Sequence, residues 1–152
     1  MDKAENDLLT RVGPDTPCGD LLRRYWWPLA VSEHLTQEPQ KVKLLGEEFV
    51  LFRLLDGRPG MLDLQCAHRS ASLEYGRVEK NGLRCPYHGW LYDTEGRCLD
   101  TPCEPPDSTF RTRVKQGAYE VRDVSGEQDR VSIRQHDHGG AEVDASRACR
   151  KP

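Results

Sequence analysis

Two short clusters of cysteine and histidine place the strongest constraint on what this chain of 152 residues can fold around. The first is Cys66-Ala67-His68, the second is Cys85-Pro86-Tyr87-His88, and 16 residues separate them. Each cluster supplies one thiolate and one imidazole, so together they offer two sulfur and two nitrogen ligands. Because each cluster contributes one ligand of each type, two facing loops could hold two metal atoms between them.

The order of the ligands favours a two-iron cluster over a zinc site. A [2Fe–2S] cluster with mixed ligation takes two Cys on one iron and two His on the other. A zinc finger usually pairs like with like, as C-x₂₋₄-C followed by H-x₃₋₅-H, and then closes on a helix. No H-x₃₋₅-H follows here, and the stretch between the two clusters is typical of turns. A structural Cys₂His₂ zinc site is the alternative prediction, and four unrelated residues are the third.

The residues around both clusters resemble the Rieske domain of aromatic-ring-hydroxylating oxygenases. The matching runs are Cys66-Ala67-His68-Arg69-Ser70-Ala71-Ser72-Leu73, Cys85-Pro86-Tyr87-His88-Gly89-Trp90-Leu91-Tyr92-Asp93 and Glu95-Gly96-Arg97. Residues 9–14 and 22–28 resemble the phthalate-dioxygenase-like branch, and the likeness covers roughly residues 7–124. The resemblance implies a [2Fe–2S] cofactor with Cys66 and Cys85 on one iron. It implies that His68 and His88 hold the other iron.

Three residues near the clusters bear on the loop backbone and on the reduction potential. The family's usual Gly after Arg69 is Ser70 here, which restricts the backbone angles of the first loop. High-potential respiratory relatives place a Ser after the His-Gly pair, where it donates to a bridging sulfide, and this chain has Trp90 there. The resemblance therefore implies the lower part of the Rieske range, about −150 to 0 mV. Tyr92 favours a higher potential, because a tyrosine at that position donates to a ligand sulfur in the high-potential class.

Strand and turn signals predict a small all-β fold. Residues 48–55 are predicted to form a strand that ends at Asp56-Gly57, a hairpin-turn signal. Further hairpin turns are predicted at Lys80-Asn81-Gly82 and at residues 93–96. Short strands between three hairpins indicate a small antiparallel Rieske-type sandwich with two projecting cluster-binding loops. The other predicted elements are helical turns at 7–10 and 19–24 and strands at 25–31 and 114–124.

The chain is long enough for one domain with a single core. We predict an N-terminal segment at residues 1–24, a Rieske [2Fe–2S] domain at 25–125 and a disordered tail at 126–152. The predicted tail contains no Leu, Phe, Tyr or Trp, although Val131-Ser132-Ile133 could form a short strand.

Composition argues against several classes of function. The formal charge is −3 with acidic and basic residues mixed along the chain, so we predict no nucleic-acid partner. Charged residues make up 31%, and no apolar run approaches the ~18 residues needed to cross a membrane. The polar start is unlike a signal peptide. We therefore expect a cytoplasmic protein in which the other cysteines stay reduced, namely Cys18, Cys98, Cys103 and Cys149.

The predicted function is electron transfer. Ring-oxygenase subunits of this family have a second domain with a mononuclear iron held by two His and one carboxylate. Outside the clusters the only histidines are His34, His136 and His138, so we predict no catalytic residues and no oxygen-activating iron here. The resemblance implies a flavin- or ferredoxin-type reductase as donor, an oxygenase catalytic domain or subunit as acceptor, and a possible homo-oligomer. The alternatives are a stand-alone Rieske ferredoxin and a structural zinc-binding module.

Overall fold

The computed structural model describes residues 1–124 and 130–134. Two helices begin the chain, α1 (Lys3–Thr10) and α2 (Pro17–Leu22). The strands are β1 (Trp27–Val31), β2 (Gln40–Leu44), β3 (Glu47–Arg53), β4 (Pro59–Asp63), β5 (Arg77–Glu79), β6 (Gly82–Arg84), β7 (Leu91–Tyr92), β8 (Cys98–Asp100), β9 (Ala118–Val124) and β10 (Arg130–Arg134). Short 3₁₀ turns lie at Ser32–His34, Leu73–Tyr75 and Phe110–Arg113. Within the described residues, no helix is long and apolar enough to span a membrane.

The strands form two antiparallel sheets, which confirms the predicted all-β architecture. The larger sheet has six strands in the order β1-β10-β9-β4-β3-β2, and the smaller has four in the order β5-β6-β7-β8. Strand β3 is buried on both faces, because its four central residues, Phe49-Val50-Leu51-Phe52, alternate between two core clusters. The cluster that contains Val50 and Phe52 also contains the ligand-loop residues Cys66 and Cys85. The scaffold core and the metal-binding loops are therefore packed together.

The three predicted hairpin turns are confirmed. The turn at Asp56-Gly57 joins β3 to β4, and Gly57 adopts a φ of 90°. Lys80 and Asn81 join β5 to β6. The third turn joins β7 to β8, where the N–H of Gly96 donates to Asp93 O over 3.1 Å.

The N-terminal helices begin earlier than the predicted helical turns. Helix α1 starts at Lys3, because Asp2 and Glu5 form a capping box. Helix α2 starts at Pro17, because the Thr16 side chain accepts the N–H of Gly19. The capping residues define both starts, and apolar spacing alone did not indicate them.

The segment predicted as a tail contains the short strand that the sequence allowed at Val131-Ser132-Ile133, and the strand extends over Arg130–Arg134. These residues form β10, which lies between β1 and β9 in the larger sheet. Val131 and Ile133 are fully buried in the core cluster on that side of the sheet, and Trp27 is the register partner of Ile133. Two β-branched residues on one strand face are enough to bury it, although the segment lacks Leu and aromatic residues. Residues 126–129 and 135–152 of the predicted tail lie outside the described residues, as does residue 125.

Candidate metal centre

Two loops with the same backbone closure carry the four predicted ligands. In the first loop, which follows β4, the N–H of Cys66 donates to Ala71 O over 2.9 Å. In the second loop, between β6 and β7, the N–H of Cys85 donates to Trp90 O over 2.8 Å. Each bond joins a cysteine to the residue five positions later. The two loops therefore have the same backbone hydrogen bond around their predicted ligands.

The equivalence extends to the residue that turns each loop. Ser70 and Gly89 each lie four positions after the cysteine, and each donates its N–H to that cysteine's carbonyl, over 2.8 Å and 3.2 Å. Both adopt left-handed backbone, with φ of 52° at Ser70 and 74° at Gly89. Glycine adopts this conformation readily and serine does not. The substitution identified in the sequence at Ser70 therefore leaves the loop geometry intact at a cost in stability.

Replacing Ser70 with glycine should stabilise the protein. We expect the free energy of unfolding to rise by up to about 1 kcal/mol, because the left-handed strain is relieved and only partly offset by the flexibility of glycine in the unfolded chain. Denaturant titration measures this. Ser72→Gly is the matched control, since Ser72 has an ordinary φ of −67° and should lose stability instead. A loss of stability in both variants would show that Ser70 is not strained.

The four predicted ligands come together in like pairs. Cys66 and Cys85 are 2% and 4% exposed, and their thiols are hydrogen-bonded to each other. The rings of His68 and His88 lie with centroids 4.6 Å apart and planes at 61°. Two loops 16 residues apart thus place thiol beside thiol and imidazole beside imidazole.

The two thiols differ in their electrostatic environment. The pKa of Cys66 is raised by its hydrogen bond to Cys85 and by burial. The pKa of Cys85 is lowered to about 6, because its thiolate accepts from Cys66 and from the backbone N–H groups of Tyr87 and His88. Backbone donors therefore favour negative charge on the sulfur of the second loop.

Two aromatic side chains flank these pairs. The hydroxyl of Tyr92 lies 3.2 Å from Cys66 Sγ, and burial raises the pKa of Tyr92, so it remains a protonated donor. Trp90 lies parallel to His68, with ring centroids 4.2 Å apart and planes 2° apart. Trp90 thus orients the imidazole of His68 by stacking.

Sequence reasoning missed Arg84, which holds the second loop in place. Its guanidinium donates to Glu79 Oε1 over 2.7 Å, to Asp100 Oδ2 over 2.8 Å and to the carbonyl oxygen of Gly89. The pKa of Glu79 is lowered to about 2 by its hydrogen bonds with Arg84 and Arg77. The sequence signal for this contact is weak, because a charged residue beside a predicted hairpin turn is usually solvent-exposed and does not by itself indicate a buried ion pair.

The side chains of the centre fit a cofactor with two metal atoms. Each atom of such a cofactor needs two protein ligands, and the like pairs supply two thiols and two imidazoles. His88 Nδ1 is buried and accepts no hydrogen bond from the residues that the structure describes, which leaves it available to a metal. In residues 1–124 and 130–134, no group of three or more His, Cys, Asp or Glu side chains is arranged around a single metal-ion position.

The remaining cysteines and histidines lie apart from this centre. Cys18, Cys98 and Cys103 are free thiols, and burial raises the pKa of Cys98 to about 11. His34 lies in an exposed 3₁₀ turn. Cys149, His136 and His138 lie outside the described residues.

An antiparallel β domain with two cysteines and two histidines on paired loops defines an iron–sulfur class of protein. A model of the Rieske [2Fe-2S] domain matches residues 25–120. The chain therefore belongs to the Rieske [2Fe-2S] domain family, whose cofactor is a [2Fe–2S] cluster.

Known relatives place the chain beside oxygenase subunits. The phenoxybenzoate dioxygenase subunit alpha of Ectopseudomonas oleovorans is 49% identical over 118 residues, which is 78% of this chain and 29% of that protein. The phthalate 4,5-dioxygenase oxygenase subunit of Pseudomonas putida is 43% identical over 125 residues, 80% of this chain and 28% of that protein. Among solved structures, NdmA of Pseudomonas putida CBB5 has a TM-score of 0.64 at 34% identity, covering 76% of this chain and 35% of that one. The chain spans less than a third of the length of these two curated relatives.

Proposed function

We propose that the two loops bind one [2Fe–2S] cluster, with Cys66 and Cys85 on one iron and His68 and His88 on the other. The observation that carries this assignment is the pairing of like side chains across two loops with the same backbone closure. When bound, the cluster accepts and releases one electron at a time. The protein holds it between buried thiols and a stacked imidazole.

The histidine side of the centre is the proposed route for electrons. His88 is partly exposed, whereas His68 is 6% exposed and lies beneath Trp90. Tyr87, next to His88, is exposed, and its ring lies 3.8 Å from the imidazole between centroids. A partner protein would therefore meet Tyr87 and the edge of His88 before any other part of the centre.

We infer that the domain works as the electron-transfer part of a ring-hydroxylating oxygenase. It would accept electrons from a flavin- or ferredoxin-type reductase and pass them to a mononuclear iron on an oxygenase catalytic domain or subunit. The support is the identity of the relatives, which are oxygenase subunits. A homo-oligomer, a cytoplasmic location and domain limits of 25–125 remain predictions from the sequence.

A redox titration tests this function on the purified protein. We expect dithionite to reduce the protein by one electron per chain and an added one-electron acceptor, such as cytochrome c, to take that electron back. Visible absorbance follows both steps. A protein that contains zinc and takes up no electron would contradict the proposal and favour the structural zinc module.

Replacing Tyr92 with phenylalanine should lower the midpoint potential. The Tyr92 hydroxyl, 3.2 Å from Cys66 Sγ, stabilises the extra electron density of the reduced state. Loss of one hydrogen bond of roughly 1 kcal/mol corresponds to a fall of about 30–60 mV for one electron. Potentiometric titration measures the change, with Tyr75→Phe as an exposed control that should leave the potential unaltered. An unchanged or higher potential for Tyr92→Phe would show that the hydroxyl does not act on the sulfur.

A further inference from the structure

A buried glutamine outside the ligand loops contacts the first loop directly. Gln116 is 1% exposed and lies just before β9. Its Oε1 accepts the backbone N–H of Ala67 over 2.7 Å. Its Nε2 donates to the carbonyl oxygens of Asp63 over 3.1 Å and Gln65 over 2.8 Å. The side chain thus bonds the backbone before Cys66 and the N–H of Ala67, the one residue between Cys66 and His68.

The backbone around Gln116 is fixed by both sheets. Its own N–H donates to Gly96 O over 2.8 Å, in the turn between β7 and β8 of the smaller sheet. The next residue, Gly117, accepts the N–H of Asp63 over 2.9 Å at the end of β4 in the larger sheet. The first loop leaves the larger sheet and the second loop lies within the smaller one. Gln116 therefore lies between the turn of the smaller sheet and the end of β4, which precede or flank the two ligand loops.

Only a primary amide of this length satisfies the three partners at once. The site presents one N–H donor, on Ala67, and two carbonyl acceptors, on Asp63 and Gln65. Glutamine has two N–H donors and a carbonyl acceptor, whereas a glutamate would place a carboxylate against two carbonyl oxygens. An apolar side chain at this position would remove all three hydrogen bonds and leave their backbone partners unsatisfied by residue 116. Three such hydrogen bonds from one buried side chain hold the backbone of the first loop in a defined position.

We propose that Gln116 is a positioning residue for the centre, which sets the location of Cys66 and His68 relative to the ligands of the second loop. This inference rests on the proposed function, since it concerns the geometry in which the cluster is held. The side-chain hydrogen bonds of Gln116 go to backbone groups of Asp63, Gln65 and Ala67. Its effect passes through the N–H of Ala67 and through the carbonyl groups of Asp63 and Gln65.

The test compares Gln116→Met with Val131→Ala in the purified, cluster-containing protein. Val131 is equally buried, but it lies in the core cluster on the far side of the larger sheet. With the three bonds lost, we expect iron release to an added chelator to be about ten-fold faster for Gln116→Met. We also expect an altered electron paramagnetic resonance spectrum of the reduced protein. Val131→Ala should lower the melting temperature yet retain the wild-type spectrum and release rate.

A wild-type spectrum and release rate in Gln116→Met, or equal changes in Val131→Ala, would overturn the positioning role. If Gln116→Met does not fold, Gln116→Asn serves in its place, because it keeps a neutral amide but is one methylene too short to reach all three partners. Its expected outcome is the same faster release and altered spectrum, and a wild-type result would equally overturn the role.

Hydrogen exchange separates this inference from the proposed function, because it requires no cluster. In the wild-type protein the peptide covering residues 64–71 should be protected, although Ala67 is exposed. In Gln116→Met the same peptide should exchange about ten-fold faster, while peptides of β10 should not change. A wild-type protein without iron would overturn the proposed function alone. Equal exchange at residues 64–71 in both proteins would overturn the role of Gln116 alone.

Discussion

Replacing Cys85 with alanine is expected to abolish cluster binding. The substitution removes one of the two protein ligands from one iron, and no other thiol of the described residues lies beside Cys66 to replace it. The purified variant should lack iron, acid-labile sulfide and visible colour, whereas the wild type should contain about two of each per chain. Metal analysis and absorbance spectroscopy measure the loss. The same result is expected for Cys66→Ala, His68→Ala and His88→Ala.

Cys98→Ser is the demanding control for this prediction. Cys98 is buried in the same core cluster as Cys66 and Cys85, but its thiol donates to Asp100 O over 3.5 Å. The variant should therefore keep the full iron and sulfide content, as should Cys18→Ser. Loss of the cluster in Cys98→Ser, or its retention in Cys85→Ala, would show that the ligand assignment is wrong.

Replacing Gly96 with alanine should destabilise the whole domain. Gly96 has a φ of 77°, and a Cβ there would overlap the backbone carbonyl oxygen of Gln116. Left-handed strain and this overlap together should lower the free energy of unfolding by about 3 kcal/mol or more, since a backbone oxygen cannot move aside as a side chain can. Denaturant titration with circular dichroism measures the loss.

Gly57→Ala separates the two causes of that loss. Gly57 has a φ of 90° in the turn between β3 and β4, but nothing lies within 4 Å of a Cβ built there. We expect a loss of about 1–2 kcal/mol from strain alone. Equal losses at Gly57 and Gly96 would contradict the close contact between the third hairpin turn and Gln116.

Local chemistry explains which features could be predicted from the sequence. The turn at Asp56-Gly57 depends on neighbouring residues, so its prediction is confirmed. The restriction on backbone angles that the sequence indicated at Ser70 corresponds to a left-handed φ of 52° at that residue. The four predicted ligands stand within two short motifs, and the structure brings them together in like pairs. Their role as cluster ligands stays a prediction.

Features that depend on distant partners were not predictable. Gln116 stands between a charged residue and a glycine in a segment predicted as strand, and its partners Asp63, Gln65 and Ala67 lie far away in sequence. Strand β10 lies between β9 and β1, and β1 is about a hundred residues earlier in the sequence. A single sequence contains no local signal for such contacts, since burial and pairing arise from the assembled sheet.

Mössbauer spectroscopy of ⁵⁷Fe-enriched protein tests the central claim most directly, because it distinguishes the ligands of each iron. With two thiolates on one iron and two imidazoles on the other, the irons are chemically different. The oxidised protein should therefore show two quadrupole doublets of equal area with different isomer shifts. After reduction by one electron, only the iron of His68 and His88 should become ferrous. A single doublet from two equivalent irons, or the absence of iron beside stoichiometric zinc, would contradict the account.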